Sequence, residues 1–456
     1  MWRPVVSGLS GAKVEIIGLG ASGVAAARLA LKKEGDVYVS DLRTKPAVAA
    51  RGADLRAEGA RVELGKHDVE RMARADLVVV SPGIPPHAPV LTALRDRGTR
   101  WISEPEFAVR FFSGSLIAVT GTNGKTTTTL LVGHLLEAAG IRAAVGGNVG
   151  GGLAPAASEL ALLPVSPEWY VLEMSSFQLA DVDTFRPDIG VITNLSPDHL
   201  DRYESLEAYY ADKARLLDQA APDSKWVLPC GDGDVADLVG DAEGHRFYFG
   251  GDDLTDTHAY VSEGRLMLRL GGSDDALIGA TDLPLLGTHN LNNALAASLT
   301  ASLAGASVSG IRSGLESARS LPHRLEPVAE QGGVLWVNDS KATNVAAARS
   351  ALLSLDRPIV LLAGGTDKGE DFTGLVPEGA DMRAVISYGA AGPRIAFEVE
   401  GSDLVEGDFR GVLEAARGAA QPGDVILLSP ACSSFDMFES YEDRGRRFSE
   451  FARENV

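Results

Sequence analysis

The chain has 456 residues, 45% of them hydrophobic and 23% charged, and a formal net charge of −20. This composition fits a globular protein of about two to four domains, and so acidic a chain is a poor match for non-specific nucleic-acid binding, which needs basic surface. The two cysteines, Cys230 and Cys432, stand far apart in no metal-binding spacing; with no apolar run of membrane-spanning length and no signal-peptide pattern at the N-terminus, a cytoplasmic location without a membrane span is expected.

Lys13–Ile17 reads as a strand, Gly18-Leu19-Gly20-Ala21-Ser22-Gly23 as a glycine turn, and Val24–Lys33 as an Ala-rich helix. Asp36–Ser40 is the next strand, ending at Asp41. This is the layout of a dinucleotide-binding unit, with an acid about twenty residues after the turn. The same geometry holds any diphosphate, so an NAD-dependent dehydrogenase is one reading and a sugar-nucleotide site another. Asp41 is a ribose or uracil partner, or a polar strand end; Arg43 reaches a phosphate, or is solvated loop charge. Asp76–Val80 is a short buried strand, and Ser81-Pro82-Gly83-Ile84-Pro85 is a rigid turn at its carboxyl end. Open α/β sheets bind ligands at that edge. A first domain boundary falls near residue 103.

Next comes an apolar run, Leu116–Val119, that stops at Gly121-Thr122-Asn123-Gly124-Lys125-Thr126-Thr127. The apolar-periodic residues Leu130, Leu131, Val132, Leu135 and Leu136 follow, giving strand, glycine loop and helix. Backbone N–H groups and the helix N-terminus can cradle phosphates there. Lys125 would neutralise the outer phosphates and Thr126 could offer its hydroxyl to Mg²⁺. The general pattern wants a glycine where Val119 stands, and a plain glycine turn before a helix is the alternative. Val145-Gly146-Gly147-Asn148-Val149-Gly150-Gly151-Gly152 is expected to be a flexible loop, too glycine-rich for regular structure, with Asn148 as its one polar side chain.

Trp169–Glu173 is a strand ending in an acid. Beside a phosphate loop such an acid holds Mg²⁺; otherwise Glu173 is a cap or loop acid. Ile189–Thr193 runs into a polar loop, Asn194–Arg202, where His199 is placed to meet metal or phosphate. Ser205–Gln219 reads as a helix, with Lys213 an ordinary solvated lysine unless something else claims it. Residues 231–283 alternate short strands and turns and show no chemistry. Gly287–Ala294 opens an Ala/Leu-rich helix whose Asn290 and Asn293 are caps or read a base edge, a pairing that suits adenine.

A second boundary falls near Leu321-Pro322-His323-Arg324. Beyond it Val334–Val337, Pro358–Ala363, Ala384–Tyr388 and Val425–Leu428 are strands, with polar residues at their carboxyl ends. The expected fold is α/β in three domains. A Rossmann-like domain occupies 1–103, a P-loop ATPase-type domain with a mostly parallel sheet 104–321, and a second Rossmann-like domain 322–456. The third carries Lys341, Thr343, Lys368 and Ser434 without a nucleotide fingerprint. A diphosphate turn, a triphosphate loop and a third substrate surface suggest an ATP-driven joining reaction. A non-catalytic nucleotide switch is the alternative outside enzymology.

In order along the chain, Gly121–Thr127, Glu173 in LEMSSFQL, His199 in NLSPDHLDRY, Asn290 and Asn293 in HNLNNA, and His323-Arg324 in LPHRLE resemble the Mur ligase family. The stretches NDSKATN (338–344), GGTDKG (364–369), LSPACSSFDMF (428–438) and SPGIP (81–85) resemble its D-glutamate-adding branch, and the Asp-Asn-Pro-Arg motif of the diaminopimelate-adding sister is missing. The resemblance implies ATP-dependent addition of D-glutamate to UDP-N-acetylmuramoyl-L-alanine through an acyl phosphate. A sister ligase for another amino acid is the nearest rival. It further implies ATP contacts from Gly121–Thr127, Asn290, Asn293, Arg324 and Asp339, and catalytic roles for Lys125, His199 and Lys213. Two Mg²⁺ would be held by Thr126 and Glu173 and by His199 and a carbamylated Lys213. Gly18–Gly23, Asp41, Arg43, Ser81 and Asn148 would meet the UDP substrate, and Thr343, Lys368, Ser434 and Tyr441 the D-glutamate. A monomer that closes on its ligands is expected.

Overall fold

The computed structural model describes residues 8–150, 152–198, 202–251 and 256–454. Among these residues the strands form three sheets. Lys13–Ile17 (β1), Asp36–Asp41 (β2), Arg61–Leu64 (β3), Leu77–Val80 (β4) and Ile102–Ser103 (β5) pair in parallel in the order β3-β2-β1-β4-β5. Their near-continuous apolar runs, such as Leu77-Val78-Val79-Val80 with every residue buried, belong to a parallel sheet covered on both faces. The order reverses between β1 and β4, so the turn after β1 and the turn after β4 flank one crevice at the sheet's carboxyl edge.

The second sheet comprises Ser115–Thr120 (β6), Ala143–Gly147 (β7), Trp169–Glu173 (β8), Ile189–Ile192 (β9), Lys225–Pro229 (β10), His245–Phe249 (β11), Thr257–Ser262 (β12), Arg265–Leu270 (β13) and Ser273–Gly279 (β14). Its order is β14-β13-β12-β11-β10-β9-β6-β8-β7, parallel from β7 to β12 and antiparallel between β12 and β13. The phosphate-loop strand β6 therefore lies between β9 and β8. The cores beneath the first and second sheets are continuous: Leu29, Val39 and Phe107 belong to the same buried cluster as Leu116, Tyr170 and Leu172.

The third sheet holds Glu326–Gln331 (β15), Val334–Asn338 (β16), Ile359–Gly364 (β17), Met382–Tyr388 (β18), Ser402–Leu404 (β19) and Val425–Leu428 (β20). Its order is β15-β16-β20-β17-β18-β19, parallel except for the hairpin β15-β16. By packing, the chain divides into two units, Met1–Ile278 with Asn293–Leu315 and Gly279–Asn292 with Glu316–Val456. No helix among the described residues is long and apolar enough to cross a membrane.

Three local expectations change. The helix after the first glycine turn begins at Ala21, with Gly20 extended before it, so Ala21-Ser22-Gly23 form its first turn. The supposed glycine loop from residue 145 starts as an edge strand, β7, running beside β8 through Gly147↔Glu173. Its glycines serve proximity rather than flexibility: Gly147 has φ +96°, and a Cβ there would run into the Glu173 backbone. Within 231–283, Gly233–Val239 is a helix, capped by Asp232 accepting from Val235 N–H at 3.1 Å.

Candidate functional site

The phosphate loop is held from one side by the end of β9. Thr122 N–H donates to Asn194 O at 2.9 Å, Asn123 N–H to Asn194 Oδ1 at 3.0 Å, and Asn194 Nδ2 back to Asn123 O at 3.0 Å. Thr193 Oγ1 donates to the same Asn123 carbonyl at 2.6 Å. Gly124 sits at the N-cap of the helix Lys125–Ala138 with φ +80°, in the left-handed region. A Cβ there would strike the Asn293 carboxamide, which also accepts from Thr128 Oγ1 at 3.3 Å. Asn293 is thus built into the back of the loop. Lys125 Nζ donates to Thr122 O at 2.7 Å, folding its charge over the loop. Thr126 is buried in the first helical turn and Thr127 half-buried beside it.

Glu173 ends β8 opposite Val119, one strand from the loop. It is 3% exposed. Its Oε1 accepts from Asn148 Nδ2 at 3.4 Å, and its Oε2 is buried with no hydrogen-bond partner. A buried carboxylate oxygen is costly unless something pairs with it, so the vacant lone pairs favour a cation. Lys213 also overturns its surface reading. It is 1% exposed, donates to Gly121 O at 2.6 Å, and lies 4.6 Å from the ring centre of Tyr209, one helical turn earlier. Burial, then the charge of Lys125, push its pKa well below the usual lysine range. His199 lies outside the described residues.

At the first sheet, Asp41 ends β2 almost fully buried. It accepts from Leu19 N–H at 2.7 Å and from the Arg43 guanidinium at 3.0 and 2.6 Å. Burial opposes its charge, but the Arg43 and backbone hydrogen bonds prevail and hold the carboxyl at about 2. Asp41 therefore fixes the Gly18–Gly23 turn, and Arg43 rests on it. Ser81 reaches the turn from β4, its Oγ 3.4 Å from Gly18 O. His67, which the sequence did not single out, meets buried Ser40 Oγ through Nδ1 at 2.7 Å.

In the second unit Asn290 lies in the helix Thr288–Leu303, Arg324 precedes β15 and Tyr441 opens the helix Tyr441–Arg453, while Asp339, Thr343, Lys368 and Ser434 sit on three loops at the carboxyl ends of β16, β17 and β20. Lys368 Nζ donates to Thr343 O at 3.2 Å, joining two of them. Ser434 is buried in the third. Lys341 Nζ donates to Tyr441 OH at 3.0 Å. Asp339 accepts from Ser429 Oγ at 2.8 Å and Leu325 N–H at 3.2 Å, and burial raises its pKa to about 7 against the Ser429 bond. Arg324 lies close enough to act on that carboxyl. Asn290 donates to Leu286 O at 2.6 Å; it falls in this unit and Asn293 in the other.

One organising residue escaped the sequence reading. Arg444 is 0% exposed. Its guanidinium donates to Ser340 Oγ and O at 2.9 Å each, to Cys432 O at 3.2 Å from both terminal nitrogens, and to Gly364 O at 3.4 Å. Those acceptors lie one on each loop. In the sequence it stands within a charged run, YEDRGRR, that reads as a solvated helix face.

Family models match most of the chain: "Mur ligase MurD-like, N-terminal domain" over residues 12–103, "Mur ligase middle domain" over 119–301 and "Mur ligase, glutamate ligase domain" over 323–432. A UDP-N-acetylmuramoylalanine–D-glutamate ligase of Acidobacterium capsulatum is 41% identical over 97% of this chain and 96% of its own. The enzyme so named from Pelotomaculum thermopropionicum is 40% identical over 96% of each chain. Among solved structures, the MurF ligase of Thermotoga maritima in complex with ADP covers all of both chains at a TM-score of 0.60 and 16% identity, a likeness of fold.

Proposed function

Since the chain belongs to the Mur ligase family, we propose that it joins D-glutamate to UDP-N-acetylmuramoyl-L-alanine at the expense of ATP, in peptidoglycan precursor synthesis. The observation that carries the phosphoryl-transfer half is Glu173, buried beside the phosphate loop with one carboxylate oxygen unpartnered. The amino-acid half rests on near-full-length similarity to ligases named for D-glutamate.

A carboxylate is a poor electrophile with no leaving group. In the proposed reaction the terminal alanine carboxylate attacks the γ-phosphorus of ATP, forming an acyl phosphate and releasing ADP. The D-glutamate amine then adds to the acyl carbon, and the tetrahedral intermediate loses phosphate and a proton to leave an amide. The protein supplies position and charge neutralisation.

In this assignment residues 1–103 bind the UDP substrate through the Gly18–Gly23 turn, with Asp41, Arg43 and Ser81 framing it. Residues 104–321 handle ATP. Gly121–Thr127 cradle its phosphates with Lys125 over the outermost, and Asn148 meets the muramoyl group. Residues 322–456 hold D-glutamate through Thr343, Lys368, Ser434 and Tyr441. Arg324, Asp339, Asn290 and Asn293 serve the nucleotide. Thr126 and Glu173 would hold one Mg²⁺, and His199 and Lys213 a second; bound there, Mg²⁺ would offset the charge passing between phosphate oxygens. As an ammonium Lys213 cannot ligate a cation. Its depressed pKa favours the free amine, which adds CO₂ and loses a proton to become a carbamate with a ligating oxygen. The substrates place the enzyme in the cytoplasm, and we take it to act as a monomer.

Phosphate release with each component omitted in turn tests the reading. Release should need ATP, UDP-N-acetylmuramoyl-L-alanine and D-glutamate together. Turnover only with L-alanine or diaminopimelate would assign the chain to a sister ligase. Nothing beyond the first glycine turn favours a nicotinamide cofactor.

A further inference from the structure

Lys368 is exposed on the loop after β17, where a lysine ordinarily moves freely on its four-carbon stem. Its backbone, however, is held. Asp367 Oδ1 accepts from Gly369 N–H at 2.7 Å, closing an Asx turn over Lys368. The other oxygen of Asp367 accepts from Arg394 Nη1, on the helix Gly392–Glu398. The same guanidinium donates from Nη2 to Glu370 O at 2.7 Å and from Nε to Glu398 Oε1 at 2.6 Å. One planar fork therefore grips the residue before Lys368 and the second residue after it. Glu398, one helical turn from Arg394, is anchored in its turn: its Oε2 accepts from the N–H of Phe372 at 2.9 Å, and Phe372 is buried.

Glu370 carries the brace to the neighbouring loop. Its Oε2 accepts from Val345 N–H at 2.7 Å, at the first residue of the helix Val345–Leu352 and just beyond Thr343. The Lys368 ammonium and Thr343 O, which meet at 3.2 Å, are thus fixed relative to each other through Arg394, Asp367 and Glu370. Ion pairs this accessible add little to stability; the Arg394 and Asp367 side chains are 39% and 27% exposed. What the fork controls is position and charge. Without it the Asp367 carboxylate would stand uncompensated beside Lys368 and repel an incoming dicarboxylate. We infer that Arg394 is a positioning residue for the amino-acid substrate: it sets where the Lys368 ammonium sits against Thr343 and offsets the acid next to it. The inference rests on the ligase reading above and deepens it, because affinity for D-glutamate then depends on a side chain that acts through Asp367 and Glu370.

Steady-state kinetics on Arg394→Ala, Arg394→Lys, Asp367→Ala and the double alanine variant test this, with the urea midpoint of each recording that it folds. Arg394→Ala should raise KM for D-glutamate about tenfold, as a slight misplacement of a binding group does. KM for ATP and for UDP-N-acetylmuramoyl-L-alanine should stay within about twofold of wild type, since the loop Arg394 braces is assigned to neither. Arg394→Lys keeps the charge but not the fork and should fall between wild type and alanine; it carries the test if the alanine variant does not fold. The double variant should be no worse than the poorer single one, because both substitutions break one contact. In whichever Arg394 variant folds, an equal rise in KM for all three substrates, an unchanged KM for D-glutamate, or effects fully additive with Asp367→Ala overturn the inference. Failure of the wild type to turn over D-glutamate would instead remove the ligase reading, and the inference with it.

Discussion

Arg444→Leu removes the guanidinium that ties together the three loops after β16, β17 and β20 and substitutes a side chain that can fill part of the space. Five hydrogen bonds are lost, reaching Ser340, Cys432 and Gly364. Each buried carbonyl left without its donor costs roughly 1–3 kcal/mol. Against this, the variant no longer has to desolvate a buried charge, and replacing such groups by apolar ones can be nearly neutral. With the carbonyls of Ser340 and Cys432 counted fully and that of Gly364, at 3.4 Å, discounted, the net is about 3 kcal/mol. The loss should be local. Hydrogen exchange reads local opening, so the amides of Thr366 and Asp339, which bond to Ser433 O and Leu428 O at 2.8 Å each, should lose about a hundredfold in protection, at roughly 1.4 kcal/mol per decade. KM for D-glutamate should rise at least tenfold, while KM for ATP moves less. Arg444→Lys keeps the charge but not the planar fork and should fall nearer to leucine than to wild type. Unchanged protection at both amides, with KM for D-glutamate within twofold of wild type, would refute the reasoning.

Lys213→Ala should abolish phosphate release, and short carboxylates added to the assay should restore part of it; full activity in the variant would remove Lys213 from the metal-supporting role. Gly124→Ala should weaken ATP binding beyond detection in calorimetry, because the residue has φ +80° and its methyl would displace Asn293; micromolar binding in the variant would show that the loop tolerates the change. Buried Glu104, whose Oε1 accepts from Ser158 N–H at 2.5 Å and whose Oε2 has no partner, has its pKa raised by burial to about 7, with the Ser158 bond opposing. A carboxyl whose pKa is higher folded than unfolded adds stability below its unfolded value, near 4.5, and loses it as pH rises through about 7. Glu104→Gln should therefore flatten the fall in urea stability over that window; an identical pH profile in the variant would discount Glu104 as its source.

Much of this fold is written in local pattern. Apolar runs that stop at a glycine turn located β1 and β6, and one that stops at an acid located β8, because a parallel strand buried on both faces needs little else. The same logic failed at β7, where Gly147, which looked like slack, answers to the backbone of the neighbouring strand β8. At the site, residue identity was legible and environment was not. Glu173 could be placed at a strand end, but its unpaired oxygen depends on which side chains pack around it. Lys213 looked like surface on its own helix; its burial comes from contact with Gly121, far away in sequence. Arg444 was invisible for the same reason, since all its acceptors belong to loops earlier in the chain.

The bracing of the phosphate loop by Thr193 and Asn194 bears on how the nucleotide is captured. Those side chains lie about seventy residues beyond the loop they shape, so a peptide spanning only residues 116–131 should have almost no affinity for triphosphate despite carrying every glycine and the lysine. In the folded chain the ordering entropy of the loop is met when the sheet assembles, before any ligand arrives. Binding then proceeds against a receptor already in shape, and the free energy of the phosphate contacts remains available for holding the γ-phosphoryl group in line with its acceptor.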